Sequence, residues 1–273
     1  MLDLLTVGDV MLDVIAGAMP TGAVHADVRV RGGGSALNAA VWAASEGAAT
    51  AVIGRIGNDP SGAMVRHELE KAGARSLLIV DPELPTGTVV YARDGVVADR
   101  GATRRLCPAD LPDELVARTV LISGYALLHA DTEAAARAAI ERARADWIAV
   151  DAASSSLVAS VGAERFFALT EGVTVLLANE EEARALTGLD PVAAARSLGR
   201  RYRLACVKRG ALGAVAAYEG ELHECAPPHV LEQDAAGSGD AFVAGLLVAL
   251  ARGKPVPEAL AAAVRLGTAA AAG

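Results

Sequence analysis

Short runs of Val, Ile, Leu and Ala alternate with stretches of helical periodicity along most of the 273 residues. The apolar runs predict strands over 4–7, 51–56, 120–122, 148–150, 173–177 and 204–207. The periodic stretches predict helices over 35–46, 61–72, 132–145, 180–187, 193–202, 241–252 and 257–271. Such alternation predicts an α/β protein with a mostly parallel central sheet and helices on both faces. Residues 241–250 are apolar on every side, which predicts a central, buried helix.

Two segments, 14–31 and 86–99, break the rhythm. Both are Val-rich with turn signals, and Asp94-Gly95 between short β-rich runs predicts a hairpin. They form either a small sheet over one edge of the main one or two ordinary surface insertions. With no internal repeat, low-complexity linker or charge block, residues 1–273 read as one domain.

Composition narrows the class. A hydrophobic content of 53% with only 3% aromatic residues means a core of Ala, Val and Leu. The net charge of −8 argues against nucleic-acid and anionic-membrane partners, which call for a basic face. Cys107, Cys206 and Cys225 are scattered without C-x-x-C spacing and read as reduced thiols. Met1-Leu2-Asp3-Leu4 lacks the basic start of a signal peptide, and the longest apolar run, 241–251, is too short to span a bilayer. A cytoplasmic protein without a membrane partner is expected.

Polar groups follow the predicted strands: Gly8-Asp9, Asp151, Ala178-Asn179 and Lys208. In a parallel sheet these gather at the carboxyl ends, where open α/β sheets bind ligands. The run Asp234-Ala235-Ala236-Gly237-Ser238-Gly239-Asp240 leads into the apolar helix. Its small residues permit a tight turn, and the helix start adds orphan amides and the positive end of its dipole. The result is an anion site suited to a phosphoryl group. Asp240 in the first turn is either a general base for an attacking hydroxyl or an ordinary Asp near a helix start.

This run resembles the D-T-x-G-A-G-D signature of the ribokinase-like (PfkB) family of carbohydrate and nucleoside kinases, with Ala235 in place of Thr and Ser238 in place of Ala. Gly32-Gly33-Gly34-Ser35-Ala36-Leu37-Asn38 lacks the G-x-G-x-x-G spacing of a dinucleotide-binding turn, but it resembles the family's G-G-x-x-x-N. The stretch 53–62 fits V-G-x-x-G-x-D-x-x-G and reads as architectural, with Asp59 capping the following helix. Asp13, five residues past Gly8, fits G-x-x-x-x-D, and Asn179 with Glu182 fits N-x-x-E. Lys208-Arg209-Gly210-Ala211-Leu212-Gly213 is similar to the G-x-x-G turn under a nucleotide ribose, while Asp151-Ala152-Ala153 departs from a common D-x-N.

The resemblance implies a ribokinase-like three-layer fold whose two irregular segments, near 14–31 and 86–99, form a β lid over the sugar. It implies ATP-dependent phosphorylation of a hydroxyl on a small sugar or sugar derivative. Asp240 would act as base, with Gly237, Ser238 and Gly239 as anion hole. Asp13, Asp9, Gly33, Gly34 and Asn38 would bind the sugar. Lys208, Gly210, Gly213, Asp234 and Thr268 would bind ATP. Asn179 and Glu182 would order Mg²⁺, and a monovalent cation such as K⁺ is compatible with the site. Read without the family, Asp13 is equally a solvated loop acid and Asn179 a helix cap. A homodimer through the lid is implied as well. Relatives usually continue past the point matching Gly273 with a segment near the adenine, so either a reduced nucleotide pocket or a native tail beyond Gly273 is expected. Arg29, Arg31, Arg93, Arg100, Arg104 and Arg105 either meet an acidic substrate or are solvated. A nucleoside kinase and a sugar- or nucleotide-binding relative without turnover are the alternative readings.

Overall fold

The computed structural model describes residues 1–17, 27–92, 95–228 and 237–272. The large sheet comprises β1 (Leu2–Val7), β4 (Thr50–Gly57), β5 (Arg75–Asp81), β8 (Leu115–Ser123), β9 (Ala143–Arg144), β10 (Trp147–Asp151), β11 (Val175–Asn179), β12 (Leu204–Lys208), β13 (Ala214–Tyr218) and β14 (Glu221–Cys225). A small sheet comprises β2 (Met11–Ala16), β3 (Val28–Gly33), β6 (Thr86–Ala92) and β7 (Gly95–Gly101). The helices are α1 (Ser35–Ser45), α2 (Pro60–Ala72), α3 (Gly124–Leu128), α4 (Glu133–Arg142), α5 (Ser155–Val161), α6 (Ala163–Leu169), α7 (Glu180–Thr187), α8 (Pro191–Leu198), α9 (Ser238–Ala251) and α10 (Val256–Ala271). None of the described helices is long and apolar enough to cross a membrane.

The large sheet runs β14-β13-β12-β11-β10-β8-β1-β4-β5, with β9 beside β8. Its pairs are parallel except β12–β13 and β13–β14. From β1 the chain first builds outward through β4 and β5, then returns to place β8 on the other side. The crevice at such a reversal, outside the strands' carboxyl ends, is where α/β sheets take ligands. Alternate residues of each strand enter different cores, as the pleat requires. Val120 and Ile122 pack with the cluster that holds Ala135, Phe166 and Ala183, whereas Leu121 packs with the α9 and α10 side chains. Helix α9 is buried at every position from Ala241 to Ala251, as its uniformly apolar sequence requires.

The small sheet is built from the two irregular segments, extended back to Met11 and on to Gly101. β2 pairs antiparallel with β3 and parallel with β6, and β6 pairs antiparallel with β7. The β6–β7 pairing is that of a hairpin; Asp94 of the proposed turn lies outside the described residues. Asp59 fastens this sheet to the main body. It caps α2 by accepting from the Gly62 amide at 2.8 Å, and it also accepts from the Thr86 amide and hydroxyl at 2.7 Å each, where β6 begins.

Several boundaries differ from the sequence reading. The 132–145 helix ends at Arg142, because Ala143–Arg144 pairs with β8 as β9. The 173–177 strand lies two residues later, over Val175–Asn179, set by its register with β10 and β12. The 193–202 helix starts at Pro191 under an Asp190 cap and stops at Leu198, freeing Tyr202 to bond Thr170 inside the core at 2.6 Å. Strands β5, β13 and β14 and helices α3, α5 and α6 carry no clear periodic signal. Replacing Asp59 with Ala removes three hydrogen bonds and should cost about 2–4 kcal/mol in urea unfolding. Amide exchange at Thr86 should quicken more than exchange in α9, and unchanged protection there would show that Asp59 does not hold the small sheet.

Candidate active site

Gly237 precedes α9 in the left-handed conformation, φ 86°, which glycine adopts without penalty. That turn opens α9 at the mouth of the crevice, and Gly237 and Gly239 line the cavity there. Asp240 sits in this first turn. Its Oδ2 accepts from Asn38 Nδ2 at 2.9 Å, so two segments far apart in sequence meet there. Burial pushes the Asp240 carboxyl up to about 7; Asp151 and Asp13 add to the rise, while Asn38 and Lys208 oppose it.

Asn38 is carried by the first turn of α1. A side chain at Gly34 would place its Cβ 2.4 Å from the Asp9 carbonyl oxygen, and one at Gly33 would lie 2.1 Å from the Asp13 carboxyl carbon. The glycines thus let two polar neighbours approach the backbone. Asp9 is buried at the β1 carboxyl end, where Ser123 Oγ donates to its Oδ2 at 2.7 Å and Ser35 Oγ donates to Ser123 at 2.8 Å. Asp13 is 1% exposed, with Arg31 Nε 3.9 Å away and Oδ1 unpartnered among the described residues. Burial pushes its carboxyl up to about 6 despite Arg31.

Lys208 Nζ donates to both oxygens of Asp151, at 2.8 and 3.0 Å. Burial works against the ammonium, but Asp151 and Glu182 outweigh it and hold Lys208 firmly charged. Asn179 and Glu182 form a reciprocal capping box at the start of α7. Asn179 Oδ1 accepts from the Glu182 amide at 2.8 Å, and Glu182 accepts from the Asn179 amide at 2.7 Å and from Nδ2 at 2.8 Å. Burial and neighbouring Asp151 push the Glu182 carboxyl up, against the pull of Lys208. The cap reading of Asn179 therefore holds, and both residues still line the cavity described next.

That cavity, about 520 Å³, is lined by Asp9, Gly34, Asn38, Asp151, Asn179, Glu182 and Asp240 among others. A second, about 440 Å³, is lined by Gly210, Gly213, Phe242, Val264 and Thr268. The two share Lys208 and Gly239, at the mouth of α9. Of the residues singled out by sequence, Gly33 and Asp13 are not among those that line the first cavity, though Asp13 raises the proton affinity of Asp240, and Asp234 lies outside the described residues.

No described trio of His, Cys, Asp or Glu is placed to hold a metal ion. Asp151, Asn179 and Glu182 are hard oxygen donors already engaged with neighbours. That set fits Mg²⁺ arriving with phosphates and water, the ion's usual state, better than a protein cage.

Sequence reasoning passed over Ser123, Tyr125 and His129 as site residues, left Arg100 open between a contact for an acidic substrate and a solvated cation, and set Asp151 aside. Ser123 and Asp151 end strands, so the strand-end rule reaches both. Tyr125, Arg100 and His129 carry no local signal. Burial pushes Tyr91 and Tyr125 up to about 12, so both stay neutral phenols. Ala153, also lining the first cavity, holds φ 78°, a region that Asn or Gly enters more readily than Ala.

The chain matches the pfkB family carbohydrate kinase profile over residues 1–272. It is 30% identical over 250 residues to a fructokinase of Klebsiella pneumoniae, covering 84% of this chain and 80% of the relative. Among solved structures, the adenosine kinase of Sinorhizobium meliloti superposes with a TM-score of 0.86 at 26% identity, covering 99% of this chain and 92% of that one. The fructokinase of Vibrio cholerae O395, bound to fructose, ADP and calcium ion, superposes with a TM-score of 0.83, also at 26% identity, with the same coverage of 99% and 92%. These matches show that the chain belongs to the pfkB family of carbohydrate kinases.

Proposed function

We propose that this kinase transfers the γ-phosphoryl group of ATP to a hydroxyl of a small sugar or sugar derivative by in-line displacement, with Asp240 as general base. It is an ATP-dependent sugar kinase in which the larger cavity takes the acceptor and the smaller one the nucleotide. The observation that carries the assignment is the meeting of both cavities at Lys208 and Gly239, next to Asp240.

Asp240 accepts the hydroxyl proton as the oxygen attacks phosphorus, and Asn38 holds the carboxylate in place. The amides of Gly237, Ser238 and Gly239 point at the oxygens where charge gathers. Lys208, steadied by Asp151, adds a fixed positive charge at the junction. Gly210, Gly213 and Thr268 form the nucleotide wall; the assignment of Asp234 to the nucleotide rests on the family resemblance alone. Asp13, Asp9, Gly33 and Gly34 shape and orient the acceptor. A divalent metal would be held by the phosphates and, through water, by Asn179, Glu182 and Asp151; it neutralises phosphate charge when bound. K⁺ enters this reading through the family resemblance alone.

A nucleoside acceptor is the second reading. Tyr91 and Tyr125 line the acceptor cavity and offer flat surfaces against a base. An ATP-consumption assay over sugars and nucleosides separates the two.

The small sheet serves as the lid and as a homodimer contact in this proposal. Val30, Val14, Val90 and Val97 stand in one cross-strand row, on the face opposite Val89 and Ala98 of the acceptor cavity. Val30, Val90 and Val97 are exposed by 44%, 38% and 70%. Sedimentation should show a dimer that Val90→Lys with Val97→Lys converts to monomer. A monomeric parent protein at tens of micromolar would remove the dimer from the reading.

Asp240→Asn should lower kcat by about 10²–10⁴ while sugar binding persists. In the parent enzyme kcat/KM should rise with pH to a plateau, with an apparent pKa near 7 set by Asp240. Near-normal turnover in the variant, or a flat profile between pH 5 and 8, would take the base role from Asp240.

The same carboxyl makes folding pH-dependent. Its folded value, about 7, lies above the ordinary 3.8, so the folded state binds the proton more tightly than the unfolded chain does. The stability this contributes is complete below 3.8 and is lost as pH rises through about 7. Asp240→Asn should therefore match the parent Tm near pH 4 and exceed it increasingly up to pH 8. An equal Tm at pH 8 would mean that the carboxylate is not desolvated.

A further inference from the structure

One charged group in the acceptor cavity has no part in phosphoryl transfer. Arg100, at the end of β7, and His129, after α3, line the cavity together with Asp9. Arg100 is held from two sides. Its Nη1 donates to Asp131 Oδ1 and its Nη2 donates to Thr132 Oγ1 at 3.0 Å, while Nη2 lies 3.7 Å from Asp9 Oδ1. The last distance is too long for a hydrogen bond and short enough for one oxygen to bridge. Arg100 Nε is buried and has no partner among the described residues.

The charges decide which oxygen. Four carboxyl groups, those of Asp9, Asp151, Glu182 and Asp240, line the cavity, against the cations Arg100 and Lys208. Lys208 is paired with Asp151, and Arg100 lies between Asp9 and Asp131. Burial and the nearby guanidinium lower the pKa of His129, which therefore adds no cation at neutral pH. No cation among these is left over for a second anion. A hydroxyl, by contrast, accepts from Arg100 and donates to Asp9 at once.

We propose that Arg100 is a specificity residue that reads a hydroxyl of an uncharged acceptor, and that Asp131 and Asp9 cancel its charge so that sugar phosphates and sugar acids are refused. The inference rests on the kinase reading for the place of the acceptor, and adds the acceptor's class. Asp131 acts through Arg100 as a positioning and charge-balancing residue; it is 38% exposed and also lies 3.8 Å from Arg104 Nε.

The test uses the full chain and matched ligands: neutral pentoses and hexoses, fructose among them, their phosphate esters, and gluconate. Binding is read by calorimetry, and kcat and KM by ATP consumption. The parent protein should bind a neutral sugar and discriminate against its phosphate ester. Asp131→Asn removes one of the two carboxylates that face Arg100 and should shift the phosphate-to-neutral binding ratio by about fivefold toward the phosphate. Arg100→Gln should raise KM for the neutral sugar more than it lowers kcat. The double variant, Arg100→Gln with Asp131→Asn, should lose the fivefold shift, because the released charge is gone. Thermal unfolding of each variant checks that it folds.

A parent protein that favours a phosphate ester or gluconate, or binds no neutral sugar, would overturn the proposal. So would an Asp131→Asn variant with an unchanged ratio, or a double variant that keeps the shift. Neutral-sugar binding without ATP consumption would overturn the kinase reading while leaving this one intact.

Discussion

A helix that is apolar on every side has to be covered on every side, and the architecture of this protein answers that constraint at α9. Helices α1 and α10 pack against it from outside, and β1, β8 and β10 pack beneath it. Gly245 lets it lie close to α10, since a Cβ there would stand 3.0 Å from the Ala262 carbonyl oxygen. Burial on the order of 1.5–3 kcal/mol for each large side chain, over Phe242, Val243, Leu246, Leu247, Val248 and Leu250, leaves the helix no alternative position. Its N-terminus is therefore a fixed point at the sheet's carboxyl edge. The reactive centre is built on that rigidity.

Electrostatics at this point work against the fold and, in the mechanism proposed above, for the chemistry. Asp240, Glu182 and Asp151 share a small volume with one ammonium, that of Lys208. Crowded carboxyl groups with little water hold on to protons, which is why Asp240 is pushed up to about 7. A base in that range exchanges protons with an alcohol at neutral pH more effectively than an ordinary carboxylate does. Hydrogen bonds and the Lys208 ion pair hold these groups together, and every one of them comes from a different strand end or helix start. In the proposed mechanism, activity and stability therefore pull against each other at Asp240.

The small sheet meets this centre through hydrogen bonds and not through a core of its own. Asp59 ties Thr86 to the α2 cap, Thr86 Oγ1 accepts from the Gly57 amide at 2.9 Å, and Thr103 Oγ1 donates to the Val10 carbonyl at 3.0 Å. A sheet held at its base by polar contacts, with its inner face on the first cavity, places Tyr91 and Arg100 at that cavity while leaving its outer valines exposed.

The alternation of strands and helices, the all-round burial of α9 and the caps by Asp59 and Asn179 were legible because each depends on residues within a few positions of one another. So was the tight turn ahead of α9, since small residues before an apolar helix permit the left-handed backbone found at Gly237. Strands β5, β13 and β14 escaped for compositional reasons. Ala214–Tyr218 is nearly all Ala and Val, and Glu221–Cys225 is a polar edge, so both form only because a neighbour supplies their hydrogen bonds. Tertiary structure alone decided which groups touch. Asn38 reaches Asp240 across 202 positions, Ser123 reaches Asp9 across 114, and Lys208 reaches Asp151 across 57. Proton affinity and ion pairing fall off over a few ångströms of space, and no spacing along the chain encodes those distances.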